Sequence, residues 1–106
     1  MGAKILVAED NHANATVFRR ALAQMDCEVT ITRDGAQAYE ALQLQTFDIL
    51  VTDWMMPKMD GIELIEKMRS TIQPAPFTLM VTAVDSAEAK ERALDAGADD
   101  YMAKPI

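Results

Sequence analysis

The strongest constraint on this chain is its rhythm. Short apolar runs alternate with segments whose apolar residues recur at helical spacing, from the first residues to the last. Residues 4–8, 28–32, 47–52, 77–82 and 99–103 read as strands. In Lys4 to Ala8 the apolar positions are consecutive, so that strand is buried on both faces. Glu28 to Thr32 alternates instead, with Val29 and Ile31 on one side. Between strands the period changes. Val17, Phe18, Ala21, Leu22 and Met25 line one face of a helix over 12–25. Asp34 with Gln37 forms a capping box for a helix over 35–44, and Asp60 with Glu63 forms another for a helix reaching about Ser70. Ser86 to Ala96 is an Ala-rich helix closed by Gly97. The Gln73-Pro74-Ala75-Pro76 stretch is a loop. Strands separated by helices cannot pair as hairpins, so the pattern predicts an α/β domain with a mostly parallel sheet.

In such a sheet all strands point one way, and whatever follows each strand lies on one rim. Strand one runs into Glu9-Asp10, strand three into Asp53, strand four into Thr82, and strand five into Lys104-Pro105. Three carboxylates, a hydroxyl and an ammonium thus converge from distant parts of the sequence. Three close carboxylates repel one another and gain from a divalent cation. Oxygen-only ligands favour Mg²⁺. A carboxylate beside such an ion can attack phosphorus, while a lysine and a hydroxyl neutralise the phosphoryl oxygens. Taken singly, each residue has an ordinary role. Asp53 could turn the chain, Glu9-Asp10 could cap a helix, Thr82 could end a strand, and Tyr101 could be a half-buried strand residue. The argument rests on the set. Asp60-Gly61 is a turn and helix cap. Met55, Met56 and Met59 read as gap-filling side chains, His12 as a surface residue of a first helical turn, and Cys27 as a small buried or turn residue.

Composition narrows the partners. The formal net charge of −7 argues against a nucleic-acid surface and allows basic partners or bound cations. With 106 residues there is room for one domain. A single cysteine cannot form an internal disulfide, which points to a reducing, cytoplasmic setting. No apolar run approaches the ~18 residues of a membrane span.

The motifs Glu9-Asp10, Asp53-Trp54-Met55-Met56-Pro57-Lys58-Met59-Asp60-Gly61, Thr82-Ala83 and Tyr101-Met102-Ala103-Lys104-Pro105 together resemble the receiver domain of two-component response regulators, over nearly the whole chain. Asp53-Trp54 and the Leu79 to Ala83 run look like chemotaxis-type single-domain regulators. The Glu9-Asp10-Asn11 opening with Asn14 looks like receivers of hybrid histidine kinases. Both subfamilies stay open.

The resemblance implies a flavodoxin-like, doubly wound five-stranded parallel sheet of order 2-1-3-4-5. It implies that Asp53 is the phosphoacceptor. Mg²⁺ is then held by Glu9, Asp10, Asp53 and the backbone carbonyl of Met55, Lys104 pairs with the phosphoryl group, and Thr82 moves to hydrogen-bond it. Tyr101 follows as an aromatic switch, and Lys104–Pro105 is a cis peptide. The implied partners are a histidine kinase or phosphotransfer protein as donor and a downstream effector protein or domain. The module assists its own phosphorylation and dephosphorylation without being a turnover enzyme. Receivers carry a fifth helix after the Lys-Pro pair, so 1–106 reads as a receiver domain ending before that helix. Part of the apolar surface of strands one, four and five is then expected to lie open, and the chain is expected either to be less stable than one extended by about 15 residues or to self-associate through that face.

Two other readings compete. A Mg²⁺-dependent phosphohydrolase of the haloacid-dehalogenase kind needs a second acid two residues after its nucleophile, where this chain has Met55. A receiver-like binding module that is never phosphorylated has no need of the complete set of polar residues.

Overall fold

The computed structural model describes residues 2–104. Five strands and four helices alternate in it: β1 (Ala3–Ala8), α1 (His12–Ala23), β2 (Cys27–Thr32), α2 (Gly35–Leu44), β3 (Ile49–Thr52), α3 (Gly61–Thr71), β4 (Phe77–Thr82), α4 (Ala87–Ala96) and β5 (Asp100–Ala103). The strands form one parallel sheet of order β2-β1-β3-β4-β5. This is the doubly wound order expected, and each connection is a helical crossover.

Helix boundaries follow local chemistry. Asn11 caps α1 by accepting from the Asn14 N–H at 3.0 Å. At α3 the box is reciprocal: Asp60 accepts from the Glu63 N–H at 2.8 Å, and Glu63 accepts from the Asp60 N–H at 3.4 Å. The box expected at α2 forms only half. Asp34 accepts from the Gln37 N–H at 2.7 Å, but the Gln37 side chain reaches one residue further back, to the Arg33 N–H at 3.0 Å. Ser86 caps α4, which ends at Gly97 with φ +122°, a conformation glycine adopts without strain.

β3 begins at Ile49 rather than at Phe47. Phe47 is buried in the core all the same, which is why it reads as strand in the sequence. The Gln73–Pro74 peptide is cis. The Lys104–Pro105 bond lies outside the described residues.

The sheet is covered unequally. On one face α2, α3 and α4 bury Leu6, Ala8, Leu50, Leu64, Ile65, Met68 and Met80 in two adjoining clusters. Each fully buried Leu, Ile or Met is worth about 1.5–3 kcal/mol. On the other face α1 lays Phe18 over Ile5, Val7, Val51 and Val81. The expected exposure of β1 is therefore not found, because α1 covers it. Among the described residues, the large apolar strand side chains that stand exposed lie at the β4–β5 end of that face. Phe77 is 53% exposed, and Met102, beside Val81 in the register, is 46% exposed. Phe77 shares its face with Leu79 and Val81 by alternation.

Candidate functional site

Backbone pairing levels the site. The sheet ladder continues one residue past the ends of three strands. The Glu9 N–H donates to the Thr32 carbonyl at 3.0 Å, the Asp53 N–H to the Ala8 carbonyl at 3.0 Å, and the Lys104 N–H to the Thr82 carbonyl at 2.8 Å. Ala8 pairs with Thr52 and Thr82 with Ala103, so Glu9, Asp53 and Lys104 all stand one step beyond their strands, on the carboxyl rim. β4 lies between β3 and β5, and the long Lys104 side chain crosses its end. Its Nζ donates to Glu9 Oε1 at 2.5 Å and to Asp53 Oδ2 at 2.7 Å. These contacts join residues 95 and 51 apart in sequence.

Both carboxylates are withdrawn from water, Glu9 at 1% exposure and Asp53 at 9%. Burial raises the Glu9 carboxyl above its usual range. The Lys104 hydrogen bond and the Asn11 N–H oppose the rise, and the Asp53 charge adds to it. Burial by itself would lower Lys104, but its hydrogen bonds to Asp53 and Glu9, together with the charges of both carboxylates, outweigh that effect and hold the ammonium above its ordinary value. Asp10 stands exposed at the rim. One carboxylate oxygen from each of Glu9, Asp10 and Asp53 lies within 4.8 Å of the others. An all-oxygen set this close fits a small hard cation such as Mg²⁺.

Asp53 is oriented by its own loop. The Trp54 N–H donates to Asp53 Oδ1 at 2.7 Å, which leaves Oδ2 to Lys104. Thr52, fully buried beneath, donates its hydroxyl to the Asp53 carbonyl at 2.8 Å. Two glycines explain how the 53–60 loop closes. A Cβ on Gly61 would stand 2.1 Å from the Asp53 carbonyl oxygen, and one on Gly35 2.1 Å from the Met59 carbonyl oxygen. The Gly61 N–H bonds the Trp54 carbonyl at 2.8 Å, and the Gly35 N–H bonds the Met59 carbonyl at 3.1 Å. Lys58, at φ +70°, reaches Asp34 at 3.7 Å. The Asp60-Gly61 pair is thus a cap and turn, as expected, and also the point where α3 touches the Asp53 backbone.

Thr82 and Tyr101 meet at one residue. The buried Thr82 hydroxyl accepts from the Val84 N–H at 3.3 Å, and the Tyr101 hydroxyl donates to the Val84 carbonyl. Trp54 and the Tyr101 ring pack on the cluster of Ile62, Ile65, Met80 and the α4 alanines. Burial, then the charges of Asp85 and Asp53, raise the Tyr101 phenol, so it stays a donor. Met55 departs from its expected role. At 65% exposure it fills no gap, because the 54–60 loop turns it outward, whereas Met56 and Met59 do pack on the core. His12 is exposed at the start of α1, and Cys27 is a free thiol opening β2. Neither approaches the rim by any hydrogen bond among the described residues. Sequence reading took Thr52 only as strand. Its signal was available: a hydroxyl inside an otherwise apolar run, directly before the candidate acid.

A parallel sheet of this order carries an acidic pair, a central aspartate and a lysine on its carboxyl rim. The chain belongs to the response regulator receiver domain family, whose model matches residues 5–106; phosphoryl acceptance within two-component response regulators is the general function of that family. It is 41% identical over its full length to the response regulator MprA of Mycobacterium ulcerans and spans 45% of that protein. Among solved structures it is similar to the receiver domain of the Francisella response regulator 1452, with a TM-score of 0.92 and 33% identity, covering 99% of this chain and 86% of that one. It is also similar to the receiver domain of the sensor histidine kinase PA1611 from Pseudomonas aeruginosa, which has a magnesium ion in its active-site cleft. There the TM-score is 0.89 and the identity 32%, over 100% of this chain and 88% of that one. Family membership sets aside the haloacid-dehalogenase reading.

Proposed function

We propose that the chain accepts a phosphoryl group from a phosphohistidine donor onto Asp53 and converts that event into a change of its partner-binding face. The observation that carries this reading is the single ammonium of Lys104 shared between Asp53 and Glu9 at 2.7 and 2.5 Å.

An Asp53 carboxylate oxygen forms the new O–P bond as the P–N bond to the donor imidazole breaks. The leaving electron pair stays on the ring nitrogen, so no side chain here has to supply a proton. Lys104, already charged, turns from the carboxylates to the incoming phosphoryl oxygens. Glu9, Asp10, Asp53 and the Met55 carbonyl would hold Mg²⁺, which, when bound, supplies the charge that offsets the repulsion between carboxylate and phosphoryl group. The Thr82 hydroxyl accepts from the Val84 N–H and keeps its own proton for a phosphoryl oxygen, so a move of Thr82 toward that group pulls on the loop that Tyr101 also holds. The chain is on this reading a switch that assists its own phosphorylation and dephosphorylation, not a turnover enzyme.

The donor is a histidine kinase or phosphotransfer protein, and the recipient of the signal an effector protein or domain. A cytoplasmic setting fits the free Cys27 thiol, and no helix among the described residues is long and apolar enough to cross a membrane. Self-association on this reading would run through the exposed Phe77 and Met102, with sedimentation at rising concentration as its test. Incubation with acetyl phosphate and Mg²⁺ followed by intact-mass measurement tests the central step. One added phosphoryl mass is expected, absent in Asp53→Asn. An unmodified wild-type chain, or an equal gain in Asp53→Asn, would overturn it.

A further inference from the structure

The Asp53–Trp54 peptide unit is held at both ends. Its carbonyl, belonging to Asp53, accepts from the Thr52 hydroxyl at 2.8 Å. Its N–H, belonging to Trp54, donates to Asp53 Oδ1 at 2.7 Å. The two groups share one rigid plane, so fixing the carbonyl direction fixes the N–H direction. The N–H in turn selects which carboxylate oxygen it engages and leaves the other, Oδ2, facing Lys104.

We propose that Thr52 is a positioning residue for phosphoryl acceptance, acting through that peptide plane to hold the Asp53 carboxylate in one orientation. This rests on Asp53 being the phosphoacceptor. The site needs such a device. β3 has ended at Thr52, and the Asp53 N–H makes the last ladder bond, to Ala8. From there the chain leaves the sheet, and the carbonyl that follows has no strand partner to fix it. Among the described residues its donor is the Thr52 hydroxyl. Gly61 brings the α3 backbone up against the same carbonyl, so the plane is bounded on one side and tethered on the other. The hydroxyl is fully buried and has no water to fall back on. Reactions that depend on alignment lose rate steeply when the reacting oxygen is misplaced.

The test compares Thr52→Val, which keeps shape and loses the hydroxyl, with Thr52→Ser, which keeps the hydroxyl. Thr78→Val is the matched control. Thr78 is also a fully buried threonine bonding a backbone carbonyl, that of Pro76 at 3.0 Å, but at the opposite end of the sheet. Phosphorylation rates with acetyl phosphate, urea stability and the Trp54 backbone amide shift of the metal-free chain are measured on all four proteins. Expected are a phosphorylation rate lower by about tenfold in Thr52→Val, a Trp54 amide moved toward the unbonded position, and recovery of both in Thr52→Ser. Thr78→Val should lose stability and keep its rate. A folded Thr52→Val with wild-type rate and an unmoved Trp54 amide overturns the proposal, as does a rate loss in Thr78→Val equal to that in Thr52→Val. If valine prevents folding, Thr52→Ala carries the same comparison. A wild-type chain that takes up no phosphoryl group fails the phosphoacceptor reading instead, and the Trp54 amide shift still reports whether Thr52 sets the plane.

Discussion

At Lys104 one ammonium answers two carboxylates that are both shut away from solvent, so removing it leaves like charges buried together. Lys104→Met keeps the aliphatic stem and deletes the charge. Metal-free stability should fall by about 2–3 kcal/mol, below the figure for a fully buried pair because the lysine retains some exposure. Mg²⁺ should restore more stability to this variant than it adds to the wild type. Urea melts with chelator and with Mg²⁺ check both, and equal Mg²⁺ gains would show that lysine and cation do not substitute for each other. Gly61→Ala belongs at this scale too. Its Cβ would meet backbone, not a side chain that can move away, so the 53–60 loop must shift. The expected result is a loss of about 1–3 kcal/mol together with slower phosphorylation, read by denaturation and by mass spectrometry. The cap residue next to it is a milder case: Asp60→Ala should cost about 1 kcal/mol.

Between elements, the join that the hydrophobic pattern does not predict runs from α3 to β5. The Arg69 guanidinium donates to the Gly97 carbonyl at 3.0 Å and to Asp99 Oδ2 at 2.8 Å, and the same Asp99 oxygen accepts the Thr78 N–H at 2.8 Å. One side chain thereby ties the end of α3, the end of α4 and the starts of β4 and β5 at the end of the sheet away from the site. The two acceptors are met by two different nitrogens of one planar group, Nε and an Nη, a spread that a single ammonium does not reproduce, so lysine is a poor replacement. Arg69→Lys and Arg69→Ala should both destabilise, by about 1–2 kcal/mol in the alanine case, without affecting Mg²⁺ binding at the far rim. Denaturant melts and a Mg²⁺ titration followed by Trp54 emission check this. Lysine matching arginine in stability would show that the fork geometry is irrelevant.

For the molecule as a whole, the acidic balance and the buried Glu9 act in the same direction. Because burial raises the Glu9 carboxyl in the fold, the native chain holds more protons than the unfolded chain between the ordinary glutamate range and the raised value. Stability of the metal-free domain therefore increases as pH falls through that window and decreases as pH rises through it. Relief of the −7 net charge adds to the trend. Glu9→Gln should flatten the Glu9 part and raise the metal-free melting midpoint at neutral pH. Mg²⁺ should oppose the acid gain, since it needs the carboxylates charged. Its own contribution is about 2.7 kcal/mol at a hundredfold excess over its dissociation constant. Melting midpoints across mildly acidic to neutral pH, with chelator and with Mg²⁺, read all three effects.

The sequence by itself determined the elements and their order, since period, caps and terminating glycine act within a few residues. Asp60 with Glu63 and Ser86 with Gly97 mark helix ends that the chain could place without knowing its neighbours. It also determined that Glu9, Asp10, Asp53, Thr82 and Lys104 share a rim, because parallel strands leave no other place for residues that follow them. Tertiary structure decided everything that depends on register and on the height of one strand against another. It put Lys104 on both Glu9 and Asp53, brought Thr82 to the N–H and Tyr101 to the carbonyl of Val84, turned Met55 out to solvent, and let α1 cover the Ile5–Val7 face of β1. It also gave Thr52 a bond to the carbonyl beside the reactive carboxylate, where the local pattern shows only a strand residue. Such contacts join groups far apart in the chain or depend on the direction of a single peptide plane, and short-range periodicity encodes neither.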